Sequence, residues 1–166
     1  LDVSGSMDDF IETEEGLEVR RIDQMFKVVR ETPECDGLKA FAFSNSCWPL
    51  EVIPSENDHF ATRSSTDLAQ AFRTIKLAGF FSAILVTDGE PDNEAAALQE
   101  AAGMKLGIIY IGNPPVPSFL ERLAKATDGT FALADMRSDD QLKIALIHAL
   151  PPPAAVNPET EKVIKL

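Results

Sequence analysis

Near its start the chain reads Asp2-Val3-Ser4-Gly5-Ser6-Met7, a carboxylate and two hydroxyls on every second residue around one glycine. Alternate residues of an extended segment face the same way, so Asp2, Ser4 and Ser6 turn their oxygens to one side, and Gly5 lets the chain curl toward a helix start. Three oxygens on one side of a bending loop form part of a cage for a hard cation. Mg²⁺ prefers six oxygens in octahedral array, retains several waters and rarely takes more than one or two protein carboxylates. Two later stretches carry oxygens that could complete such a cage: Thr66 in "SSTDL", just before a helical pattern, and Asp88 at the end of the apolar run "AILVT".

The elements that must position these groups follow from two alternating periods. Helical spacing over Val19 to Val29 (Ile22, Met25, Phe26, Val29) gives way to "LKAFAF" (Leu38 to Phe43) and "LEVI" (Leu50 to Ile53), separated by a turn-like "SNSCWP" and read as an antiparallel pair at a sheet edge. Leu68, Ala71, Phe72 and Ile75 mark a second helix, and "SAILVTDG" a strand of the kind buried on both faces in parallel sheets. "NEAAALQEAAG" is a helix closed by Gly103, "KLGIIYIG" a strand, and "PSFLERLAKATDG" a helix with capping-box spacing at Ser118 and Glu121. "TFALA" is a last short strand, and Ser138 with Gln141 opens a final helix carrying Leu142, Ala145, Leu146 and Ala149. Strands alternating with helices of this length predict a doubly wound α/β domain over residues 1–150, mostly parallel, with one antiparallel edge strand and helices on both faces. In such a sheet, ligands bind beyond the carboxyl ends of the strands. Asp88 stands there, and Asp2 does too if a strand ends at Leu1.

"DVSGSM", "STDLAQAF" and "LVTDGEP", in that order and on those elements, resemble the metal-ion-dependent adhesion site (MIDAS) of von Willebrand factor type A (VWA) domains of prokaryotic type. The resemblance covers Leu1 to about Leu150. It implies that Asp2, Ser4 and Ser6 form the first metal loop, Thr66 the second and Asp88 the third, holding Mg²⁺ or Mn²⁺ in preference to Ca²⁺. The hydroxyls would bind directly and the acids directly or through water. Ser64 and Ser65 stand where many relatives carry glycine. Neutral hydroxyls offset no charge, so an ion held this way stays electron-poor and takes an outside anion. A partner protein's Asp or Glu carboxylate is the ligand the resemblance implies, with an AAA-type ATPase among the possible partners and a shift of the last helix as the family's response. The function class expected is therefore a non-catalytic protein-interaction module. The alternatives are a Mg²⁺-dependent phosphatase with an aspartate nucleophile and a structural subunit that binds no metal. The phosphatase would want a second acid two residues after Asp2, where Ser4 stands.

Several residues carry plainer readings. Asp67 reads as a capping or first-turn acid, Glu90, Pro91 and Asp92 as shape and rim, and Asp8, Asp9, Glu12, Glu14 and Glu15 as a solvated acidic segment. His59 and His148 lack metal-ligand spacing, and Trp48 and Phe60 read as cover for the hairpin. A formal charge of −12 disfavours nucleic acid and anionic membranes as partners, and no apolar run is long enough to cross a bilayer. Cys35 and Cys47 bracket a strand-like run and read as free thiols, which favours a reducing, cytoplasmic setting. The Pro-rich tail, residues 151–166, reads as a linker. A central strand ending at Asp2 needs about five or six residues. Only Leu1 precedes Asp2, so most of that strand is expected to lie outside this sequence, in a stretch that could also hold a leader.

Overall fold

The computed structural model describes residues 1–55, 58, 61–62 and 65–150. The tail, His59, Phe60 and Ser64 lie outside them. A hairpin opens the chain after the first loop: β1 (Phe10–Glu12) pairs antiparallel with β2 (Glu18–Arg20). Gly16, at φ +76, makes the reversal, and the Thr13 hydroxyl accepts from the Leu17 amide at 3.2 Å. The acidic residues here are all exposed, as expected of a solvated segment, yet they ride on a strand pair. This corrects the start of the first helix. Val19 belongs to β2, and α1 runs Arg21–Arg30, burying Ile22, Met25, Phe26 and Val28.

The edge hairpin forms with its second strand earlier than expected. β3 (Ala40–Phe43) pairs with β4 (Cys47–Leu50), so Cys47, Trp48 and Pro49 are strand rather than turn. A short loop over Ser44 to Ser46 suffices, closed by the Ser44 amide donating to the Ser46 carbonyl at 2.9 Å. Pro49 is tolerated because β4 is an edge strand and its missing N–H faces away from the ladder.

α2 (Leu68–Leu77), β5 (Ser82–Thr87), α3 (Glu94–Ala101), β6 (Lys105–Tyr110), α4 (Ser118–Ala126), β7 (Thr130–Leu133) and α5 (Asp139–Ala149) follow as read from the sequence. β5, β6 and β7 are parallel, in register Val86↔Ile109↔Ala132. Neither expected capping box forms: the hydroxyls of Ser118 and Ser138 make no cap hydrogen bond, α4 being capped at Pro117 without a side-chain bond. Asp67 and Asn93 do cap α2 and α3, accepting from Gln70 N and Ala96 N.

Residues 1–4 join the two halves of the sheet. The Asp2 amide donates to Val86 O (3.0 Å), the Val3 amide to Phe43 O (2.9 Å), and Phe43 N to Leu1 O (3.0 Å), with Asp2 and Phe43 in a parallel bridge. The order is thus β4, β3, residues 1–4, β5, β6, β7, with residues 1–4 in the central position. One core, under α1 and α5, gathers Val3, Met25, Val86, Ile109 and Leu146. The other, under α2, α3 and α4, gathers Phe43, Phe72, Leu85, Ile108 and Phe119. Helices therefore cover both faces of a doubly wound α/β sheet. Among the described residues no helix is long and apolar enough to cross a membrane.

Candidate metal centre

The carboxyl ends of the central segment and β5 place Asp2 and Asp88 side by side at one rim of the sheet. Asp2 is fully buried. Its Oδ1 accepts from the Ser4 amide at 2.8 Å and its Oδ2 from the Thr87 hydroxyl at 2.6 Å. Burial pushes the Asp2 carboxyl above its ordinary 3.8, the Thr87 and Ser4 hydrogen bonds pull it back, and the neighbouring Asp88 charge adds to the rise.

The first loop does not stay extended, as strict alternation would require. Ser4 keeps an extended backbone, and Gly5–Asp8 form a 3₁₀ turn that seals with Met7 in the core. Ser6 therefore reaches the cluster through the turn. Its hydroxyl lies 3.2 Å from the Ser4 Oγ and donates to Asp88 Oδ1 at 2.8 Å. Neighbouring ligands of an octahedral Mg²⁺, at about 2.1 Å from the ion, stand roughly 3 Å apart. The Ser4, Ser6 and Asp88 oxygens thus already have the spacing of ligand edges, and a donor set of hydroxyls and two carboxylates suits a hard cation. Among the described residues there is no group of three or more His, Cys, Asp or Glu able to hold a metal, so the hydroxyls would have to supply part of any ligand set.

Thr66 is buried at the end of the second loop, one residue ahead of the Asp67 cap of α2. The Asp92 amide donates to the Thr66 carbonyl at 3.0 Å, which ties this loop to the one after Asp88. Asp92, read as rim, is thus the link between the two loops. Among the described residues no hydrogen bond joins the Thr66 hydroxyl to the other four groups.

Sequence reasoning missed Arg21. Its guanidinium donates to Asp88 Oδ2 and, at 3.2 Å, to the Ser6 carbonyl, with the pair nearly excluded from water: side-chain exposure is 9% for Arg21 and 1% for Asp88. A cation in the first turn of α1 opposes the helix dipole, so this placement is held by its acidic partner rather than by the helix. Nothing local signals the pairing, because the partner is 67 residues away. Thr87 was likewise read only as part of a strand. Cys35 and Cys47 are free thiols, each pushed up by burial.

Sequence comparison finds no family model and no curated protein that matches the chain. Structure comparison does find similar folds. Manganese-loaded TRAP protein of Plasmodium vivax matches with a TM-score of 0.59 at 17% identity, over 90% of this chain and 71% of that one. The SpRpn10 VWA domain matches with a TM-score of 0.57 at 13% identity, over 87% and 89%. Proximal thread matrix protein 1 of the mussel byssus, with a zinc-occupied MIDAS motif, matches with a TM-score of 0.55 at 14% identity. Coverage there is 87% of this chain but 43% of the mussel protein. At these identities the likeness establishes the fold, and the fold is that of VWA domains.

Proposed function

We infer that this chain is a divalent-cation-dependent protein-interaction module without catalytic activity. Asp2, Ser4, Ser6, Thr66 and Asp88 would hold Mg²⁺ or Mn²⁺, and a partner protein's Asp or Glu would complete the coordination. The observation that carries this reading is the chain of contacts Ser4 Oγ to Ser6 Oγ to Asp88 Oδ1, at 3.2 and 2.8 Å, on the rim of a VWA fold. Manganese in the TRAP protein and zinc in the mussel MIDAS support a divalent ion on this fold. The ion would supply a Lewis-acidic position for an incoming carboxylate. The chain's own residues do the rest: Thr87 and the Ser4 amide hold Asp2 in one orientation, Arg21 holds Asp88, and Asp92 keeps the Thr66 loop against the third loop. The charge count supports an acidic ligand. Two carboxylates and one guanidinium sum to −1, so a divalent ion leaves the centre at +1 with room for one more anion. An AAA-type ATPase presenting such a carboxylate is one partner of that kind.

Water proton relaxation with Mn²⁺ tests the reading. Bound Mn²⁺ should retain exchangeable water that glutarate displaces, and both effects should be lost in Asp2→Asn. Absence of Mn²⁺ binding, or no displacement by carboxylate, would contradict it. Mg²⁺-dependent hydrolysis of p-nitrophenyl phosphate that disappears in Asp2→Asn would favour the phosphatase alternative instead.

A further inference from the structure

The β5–β6 ladder ends at the Thr87↔Tyr110 pair, where the Ile111 amide donates to Thr87 O at 2.9 Å. Asp88 follows at once on one side, and Gly112 lies two residues past Tyr110 on the other. The Gly112 backbone is pressed against the third metal loop. A Cβ there would meet Asp88 O at 2.5 Å, the Tyr110 hydroxyl oxygen at 2.5 Å and the Tyr110 Cζ at 2.6 Å. To reach the 3.4 Å of ordinary contact, an added methyl needs about 0.9 Å more room, taken either from the main chain of Asp88 or from the Tyr110 ring. Gly89, on the other side of Asp88, differs: a Cβ there meets nothing within 4 Å.

The Tyr110 ring is not free to give way. It is buried in the core that holds Leu85, Ile108 and Phe119, and its own carbonyl accepts from the Ala134 amide at 3.0 Å. Its hydroxyl donates to the Asn113 carbonyl at 2.7 Å. That bond fastens the turn after β6, in which Asn113, Pro114 and Pro115 are exposed, back onto a buried side chain. Gly112 is thereby held between a fixed ring and the Asp88 carbonyl. We propose that Tyr110 and Gly112 are positioning residues of the metal centre. The Tyr110 hydroxyl secures the turn, and the bare Gly112 backbone supports the main chain of Asp88 where its carboxylate meets Ser6 and Arg21. This inference rests on the reading of Asp88 as a metal ligand, and both residues act through Asp88 rather than as ligands themselves. Mg²⁺ demands near-ideal octahedral geometry, so a main-chain shift at Asp88 is felt as lost affinity.

Gly112→Ala and Gly89→Ala make the same change on either side of Asp88. In a Mn²⁺ titration Gly112→Ala should bind about tenfold more weakly or worse, because the coordination geometry is disturbed. Gly89→Ala should stay within about twofold of the parent, as a substitution into open space does. NMR exchange of the Arg21 guanidinium protons, in chelator, reads the position of Asp88 with no metal present. Gly112→Ala should speed that exchange about fivefold or more as Asp88 moves off its partner, and Gly89→Ala should not. Tyr110→Phe keeps the ring in the core and removes only the O–H, so it decides the matter if Gly112→Ala does not fold. It should melt within about 5 °C of the parent, yet weaken Mn²⁺ binding about threefold or more and speed Arg21 exchange in chelator. A parent that binds Mn²⁺, beside variants at positions 110 and 112 that keep its affinity and its Arg21 exchange, overturns this inference alone. A parent that binds no Mn²⁺ overturns the metal reading, and with it the role of both residues toward an ion.

Discussion

Replacing Arg21 by methionine tests how charge is arranged at the rim. Methionine keeps an unbranched stem of similar length at the first residue of α1 and removes only the cation. Asp88 then loses its guanidinium partner while staying almost wholly excluded from water, and keeps the Ser6 hydroxyl as a donor. Breaking a buried pair from one side costs about 3–5 kcal/mol, and each kcal/mol moves a chain of this size by about 2–4 °C. The variant should melt roughly 6–20 °C lower in chelator. The same change should tighten metal binding. A divalent ion and a guanidinium roughly 5 Å apart, at an effective dielectric constant of about 20, repel by some 6–7 kcal/mol as an upper bound. If relaxation leaves only a fifth of that, removing the guanidinium still improves Kd about tenfold. Thermal melting in chelator and a Mn²⁺ titration read the two effects separately. A variant that melts with the parent, or one that binds Mn²⁺ no more tightly, refutes the view that Arg21 stands in for part of the cation's charge.

Three further outcomes follow from other parts of the structure. Asp2 has a folded pKa above its unfolded value of 3.8, so its contribution favours folding below that value and is lost as pH rises through the folded pKa. Measured as parent minus Asp2→Asn, stability in chelator should fall with rising pH, whereas millimolar Mg²⁺ should reverse the sign because only ionised Asp2 holds the metal; a flat difference in both conditions contradicts the assignment. Thr87→Val removes a buried donor to Asp2 at 2.6 Å, and should cost about 1.5–3 kcal/mol in urea unfolding and move the pH midpoint for Mn²⁺ binding upward. Gly129→Ala puts a Cβ 1.8 Å from the Leu106 carbonyl oxygen, where main chain must shift, so a loss of about 3 kcal/mol or more is expected, and a loss under about 1 kcal/mol would show that the β7 entrance can move freely.

The parts of this fold that were legible in the sequence are those whose burial writes a period into the residues. β5 and β6 appear as apolar runs because both faces are covered, and α2 as a stripe of Leu68, Ala71 and Phe72 because one face is. The first hairpin was not legible. Its strands are three residues each, none of them buried, and each carries a glutamate, so the pattern reads as solvated coil while main-chain pairing and the Gly16 turn make the strands. The second hairpin was legible in kind but displaced in register, since proline at position 49 marks a turn by composition yet is harmless on an outer edge. At the candidate site, Asp2, Ser4 and Ser6 stood out by their alternation, Asp88 by its place at a strand end, and all five, Thr66 included, by their resemblance to a MIDAS; the structure brings four of them into one hydrogen-bonded cluster, with the Thr66 carbonyl accepting from Asp92. Arg21 and Thr87 could not, because their importance lies in contacts 67 and 85 residues away.

Calorimetric titration of the chain with Mn²⁺ and Mg²⁺ reads metal binding at the rim itself. One saturable ion per chain at millimolar supply, abolished by Asp2→Asn and weakened by Ser4→Ala, is the result the hydroxyl-and-carboxylate centre requires. No saturable binding, or binding that survives Asp2→Asn unchanged, would show that these oxygens meet at the rim without holding a metal.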